Sequence, residues 1–95
     1  MLFTWDDVKN VSNLAKHGVS FEVARRVFDD PLHLSRQDRI ENGELRWQTI
    51  GRVADCVLLL VAHTWQDDDS GAELIRIVSA RRATKIERKV YEQNT

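Results

Sequence analysis

The hydrophobic rhythm of this 95-residue chain changes at its single proline, Pro31. Before it, apolar residues recur at offsets of three and four, the repeat of a helix that buries one stripe. From Leu32 onward they alternate, the repeat of a strand that buries one face. Proline stops a helix and pushes the preceding residue, Asp30, towards an extended conformation, so the change falls at a physical barrier. Helices followed by a run of strands are not the strict alternation of a parallel βαβ fold. They imply an α+β domain with a largely antiparallel sheet.

Local signals fill in the order. Phe3-Thr4-Trp5 reads as a short first strand, and Asp6 or Asp7 as the N-cap of a helix whose buried stripe is Val8, Val11, Leu14 and Ala15. His17-Gly18 ends that helix, because glycine takes the left-handed conformation after a last turn while Lys16 and His17 complement its negative pole. Ser20 caps a second helix that buries Phe21, Ala24, Val27 and Phe28. Leu32 to Arg36 alternates, Glu41-Asn42-Gly43-Glu44 is a turn, and Leu45 to Ile50 alternates again with Arg46 and Gln48 on one face. Val57 to Trp65 is apolar on both faces, as a central strand covered on two sides should be. A loop at Asp67 to Gly71 leads into a return strand from Leu74 to Ala80, and Thr84 with Glu87 has capping-box spacing for a last helix. The expected order is β-α-α-β-β-β-β-α, with the two N-terminal helices on one face of the sheet and the other face partly open.

The totals narrow the class. Ninety-five residues suit one domain, 1–95, because two cores of half that size would each be unstable. With 42% hydrophobic and 31% charged residues the chain has the balance of a folded protein and not of a disordered one. Spanning a bilayer takes about 20 apolar residues, and the longest run here is Cys56 to Ala62. No secretory leader is expected from Met1 to Asp7, so the cytoplasm is the expected compartment and no membrane partner is expected. The single cysteine, Cys56, reads as a buried structural thiol. One cysteine and the scattered His17, His33 and His63 offer no metal-ligand spacing, and no phosphate loop is present, so no metal or cofactor is expected.

Charge, by contrast, is segregated. The chain holds 14 Lys plus Arg against 15 Asp plus Glu, a net charge of −1. Yet 76–92 carries Arg76, Arg81, Arg82, Lys85, Arg88 and Lys89 against only Glu87 and Glu92. Such a segment creates a local field that draws phosphates even when the total is near zero. It is also what a solvated helix face looks like. Two features favour the phosphate reading: Arg76 lies within a strand between Ile75 and Ile77, and Arg81 and Arg82 precede the helix cap. Arg46 on another strand could be a neighbour of Arg76, and two guanidinium groups on one open face would make a phosphate clamp. His17 is either a helix-end residue or a proton-transfer group, and His63 either core-edge packing or a group beside the arginines. His33 is read as structural. Trp5, Trp47 and Trp65 are read as packing in preference to base stacking, and Asp67 to Asp69 as a solvated turn. Tyr91, one turn beyond Arg88, could close over the sheet.

Taken in order, several strings resemble the BrnT family of bacterial type II toxin–antitoxin toxins. They are W-D-D-V-K from Trp5, N-L-A-K-H-G-V-S-F-E from Asn13, V-F-D-D-P from Val27 and R-W-Q-T-I-G from Arg46. V-A-H-T from Val61 and I-R-I-V-S-A-R-R-A-T-K-I-E-R-K-V-Y-E from Ile75 complete the set. The resemblance implies a RelE-like ribonuclease fold and inhibition of translation by RNA cleavage. It also implies neutralisation by a BrnA-type ribbon-helix-helix antitoxin, a hetero-oligomer with that partner, and contact with operator DNA through it. The pI of about 6.3 departs from the basic habit of such toxins, which leaves a localised phosphate site rather than broad RNA affinity. Metal-free attack by a ribose 2′-hydroxyl needs a base, an acid and cations. The expected catalytic set is Arg46, Arg76 and Arg81 as cations, His17 as acid or base, and Tyr91 and Glu87 in reserve, Glu87 having the cap as its rival role. Lys16, His63, Arg82, Lys85 and Arg88 are the expected RNA-binding residues. The alternative from another class is a non-catalytic binding module, or a degenerate toxin that acts as co-repressor with a DNA-binding antitoxin.

Overall fold

The structure, a computed structural model, describes residues 1–94; Thr95, the end of the expected domain, lies outside them. Strand β1 spans Leu2–Thr4 and helix α1 Asp7–His17. Helix α2, Phe21–Ala24, runs on into a 3₁₀ segment at Arg25–Asp29. Strands β2, Leu34–Glu41, β3, Glu44–Ala54, β4, Val57–Asp67, and β5, Glu73–Arg82, follow, and helix α3, Lys85–Gln93, closes the chain. The locally written signals hold. Asp6 accepts from the amides of Val8 and Lys9, Gly18 takes a φ of 71°, and Ser20 caps α2. Asp30 is extended before Pro31.

The sheet order is β1-β5-β4-β3-β2, with β4 at its centre as its apolar run requires. It is mixed: β2 to β5 form antiparallel hairpins, but β1 joins β5 in parallel, because the chain crosses over through both helices before returning. Register separates the two faces. Thr49 faces Val61, and Val61 faces Ala80, on the side covered by the early helices. Ile50 faces Leu60, and Leu60 faces Arg81, on the other. The helix-side core gathers Phe21, Ala24, Val27, Leu59, Val61, Ile75 and Ile77. At its tightest point Gly51 lets the 3₁₀ segment approach, since a Cβ there would lie 2.8 Å from both Cγ1 and the carbonyl oxygen of Val27. A smaller core of Ile50, Leu58, Leu60 and Tyr91 joins α3 to the opposite face.

Two expectations are corrected. The Val8, Val11, Leu14, Ala15 stripe of α1 is not buried; Val8 and Val11 are 77% and 70% exposed. The inward face is polar instead. Beyond the end of β1 the edge of β5 is open, and a strand edge offers unpaired amides and carbonyls. Asn13 meets them, donating to the carbonyls of Ala80 and Val19 and accepting from the amide of Ala80. Asn10 similarly accepts from Phe21 and donates to Glu22. Cys56, expected buried, is exposed, because the apolar run begins one residue early in the β3–β4 turn and the strand starts at Val57.

Candidate functional site

Strand alternation places Arg46, Gln48, Arg76 and Arg81 on the face away from α1 and α2. Arg76 lies opposite Thr64 on β4, Gln48 opposite Ala62, and Arg81 opposite Leu60. Helix α3 covers only the end of this face around Ile50, Leu58 and Leu60. Arg46 and Arg76 stand on the part that α3 leaves uncovered, and Arg81 lies beside α3 at the covered end.

Glu44, the first residue of β3, links two of them. Its Oε1 accepts from Arg76 at 2.5 Å and lies 4.0 Å from Nη2 of Arg46. The Arg76 and Glu44 side chains are 36% and 41% exposed, whereas Arg46 is nearly buried at 10%. Among the described residues the buried Nε of Arg46 has no acceptor, which leaves a charged donor unsatisfied next to the exposed pair.

Arg81 makes a two-pronged pair with Glu87, Nη1 to Oε1 at 2.8 Å and Nη2 to Oε2 at 2.9 Å. Glu87 also accepts from the amide of Thr84, completing the capping box that starts α3. Hydrogen bonds from Arg81 dominate its titration, with Thr84 adding to them against the effect of burial, and they hold the carboxyl at about 2. Glu87 is therefore an anion across the physiological range, and Arg81 is held in one orientation.

A cleft of about 470 Å³ opens beside this pair, between α3 and strands β2 and β3. Leu34, Ile50, Leu60, Ile86 and Val90 contribute apolar side chains to it, and Arg36, Gln48 and Glu87 polar ones. Arg36 is oriented by Oε1 of Gln48, which accepts from its Nε and Nη2. The periodicity of β3 had already put Gln48 with Arg46. Arg36 and Glu44 are new members, although the alternation of β2 and the turn before β3 carried their positions.

Other expected site residues lie elsewhere. His17 and Lys16 are exposed at the end of α1, and no hydrogen bond or ion pair among the described residues joins them to the guanidinium face. His63, expected to contact RNA, is fully buried on the helix side between Phe28 and Trp65. Its Nδ1 donates to the carbonyl of Thr64 and its Nε2 meets the Thr49 hydroxyl at 2.7 Å, with Ser35 bonded to Thr49 in turn. Burial pushes its pKa down, although the Thr64 contact opposes this, so the ring is neutral and closed to a ligand.

Tyr91, held in reserve for catalysis, is also buried and donates to Oδ2 of Asp30 at 2.6 Å. Burial first, and then the Asp30 carboxylate, push its phenol up and away from proton exchange at neutral pH. Asp30 itself is held low: burial works against this, but hydrogen bonds from Tyr91 and the amides of Arg52 and Leu32 prevail. This clasp ties α3 to the corner that Pro31 makes. Arg88 donates to the carbonyl of Cys56 in the β3–β4 turn, and Arg82 and Lys85 are exposed. The tryptophans pack, Trp47 edge-on to Trp65 and Trp5 edge-on to Phe21. Asp68 turns its carboxylate to Ser70 and Ala72 within its own loop.

Residues 5–87 match the family described as "Ribonuclease toxin, BrnT, of type II toxin-antitoxin system". Among solved structures, the 1.1 Å crystal structure of the Brucella abortus ribonuclease toxin BrnT is similar, with a TM-score of 0.60 at 20% identity. The similarity covers 90% of this chain and 100% of that one. At that identity it speaks to the fold, which the two share. No curated protein matches the sequence significantly.

Proposed function

Because this chain belongs to the BrnT family of ribonuclease toxins of type II toxin–antitoxin systems, we propose that its open sheet face cleaves RNA without a metal ion. The observation that carries this reading is the placement of Arg46, Arg76 and Arg81 on one face that α3 leaves partly uncovered. In-line attack by a ribose 2′-hydroxyl on the adjacent phosphate builds charge on the phosphoryl oxygens. Fixed guanidinium groups in a partly desolvated site stabilise that charge where it develops. The products are a 2′,3′-cyclic phosphate and a free 5′-hydroxyl.

Arg76 keeps donors to spare, since among the described residues Glu44 engages only part of its five-donor fork. Arg81, oriented by Glu87, and Arg46, with its unsatisfied Nε, line the same face. Cleavage of cytoplasmic RNA would halt translation. A BrnA-type ribbon-helix-helix antitoxin would neutralise the toxin and carry the complex to operator DNA. Among the described residues no helix is long and apolar enough to cross a membrane.

Incubation of the purified protein with RNA in excess chelator tests the chemistry. Undiminished cleavage with 2′,3′-cyclic phosphate ends is the expected result. Loss of all cleavage under chelation, or 3′-hydroxyl ends, would overturn it.

A further inference from the structure

Metal-free cleavage needs a base beside the phosphate-holding cations, and the three histidines, Tyr91 and Glu87 are placed or bonded against that role. His17 ends α1, and His63 is buried on the far side of the sheet. His33 packs against Phe28 with its Nδ1 on the carbonyl of Asp30. The Tyr91 hydroxyl is given to Asp30. Glu87 has both oxygens committed, to Arg81 and to the cap, and a carboxylate held so acidic is a poor proton acceptor.

Glu44 differs on each count. It stands on the open face, with its side chain 41% exposed. Arg76 and Arg46 engage Oε1, and among the described residues no hydrogen bond holds Oε2. It follows the Asn42-Gly43 turn, where both residues take positive φ, so β3 begins with this carboxylate directed by the two guanidinium groups. Among the described residues the buried Nε of Arg46 has no acceptor, and it is Nη2 that lies towards Glu44 Oε1. A phosphate oxygen is the acceptor that two neighbouring guanidinium groups suit.

We propose that Glu44 is the general base of the cleavage reaction, with Arg46 and Arg76 holding the phosphate beside it. This assignment rests on the ribonuclease reading. The free Oε2 takes the proton of the 2′-hydroxyl as the 2′-oxygen bonds to phosphorus. The bond from phosphorus to the 5′-oxygen breaks, and that oxygen leaves with a proton from water. Glu44 then returns its proton to solvent. The Arg76 pair orients the carboxylate before substrate arrives, and the remaining donors of the same guanidinium group serve the phosphate.

The full-length protein, Glu44→Gln and Glu44→Asp are compared on a 5′-labelled single-stranded RNA. Glutamine keeps an acceptor for Arg76 but cannot take a proton. Its cleavage rate should fall by about 100-fold or more. RNA affinity should stay within about threefold of wild type, or tighten, as removing a base and not a binding group requires. The acidic limb of the pH–rate profile should disappear in Glu44→Gln and persist, at a reduced rate, in Glu44→Asp. Cleavage by Glu44→Gln close to or above the wild-type rate would overturn the assignment and mark Glu44 as a competitor for the phosphate. Loss of RNA binding in step with rate would likewise overturn it, as clamp geometry alone. Both outcomes leave the ribonuclease reading standing. An inactive wild type would overturn that reading and this assignment together. If Glu44→Gln lowers the thermal midpoint, Glu44→Asp decides: a folded Glu44→Asp that cleaves RNA without the acidic limb contradicts the base role.

Discussion

Glu87 serves two structural demands with one carboxylate. It caps the first turn of α3 through the Thr84 amide, and it fixes the guanidinium of Arg81 with both oxygens. Its folded pKa of about 2 lies below the usual 4.5, so the anion favours the folded state. That contribution is complete above about pH 4.5 and is lost as pH falls towards 2. Urea unfolding should therefore find Glu87→Gln less stable than wild type at pH 7 by on the order of 1 kcal/mol, solvent screening having reduced the pair's value. The gap should narrow steadily between pH 4.5 and 2. The capping spacing of Thr84 and Glu87 was legible in sequence because it lies within four residues. The ion pair with Arg81 was not, since it depends on how α3 leaves the sheet.

At the scale of elements, α1 is the informative case. Its apolar spacing at Val8, Val11 and Leu14 correctly marks a helix, yet the helix docks by the opposite side. Periodicity identifies a stripe but does not say which surface receives the helix. Here that surface is the open edge of β5, where backbone groups need polar partners, and Asn13 supplies three hydrogen bonds. Asn13→Ala would leave the Ala80 amide and two carbonyls unpaired in a buried place. A loss of about 2–4 kcal/mol is expected in denaturant unfolding. The same layer depends on Gly51, which allows Val27 against β3. A methyl group there should cost about 1–3 kcal/mol, so Gly51→Ala should lower the unfolding midpoint without changing the RNA cleavage proposed for the opposite face. The strand parity of Arg46 and Gln48, by contrast, was readable directly, because period-two alternation is fixed by the backbone. Glu44 was hidden by its assignment to a turn, although it is the first residue of β3.

Across the whole molecule the near-zero net charge conceals an arrangement. The segment 76–92 is not one basic surface. Arg76 and Arg81 stand on the open sheet face, Arg88 braces the β3–β4 turn, and Arg82, Lys85 and Lys89 face solvent. Sequence composition revealed the excess of charge there but not its division, which strand register and the docking of α3 impose. In the mechanism proposed above, the open face, and not the helix side, acts on RNA. The most direct measurement is the single-turnover RNA cleavage rate of Arg76→Ala beside that of Lys16→Ala, with thermal midpoints taken in parallel. Arg76→Ala should lose about 100-fold or more, and Lys16→Ala should cleave within about twofold of wild type, with both proteins folded. Full cleavage by a folded Arg76→Ala, or an equal loss in Lys16→Ala, would contradict that mechanism.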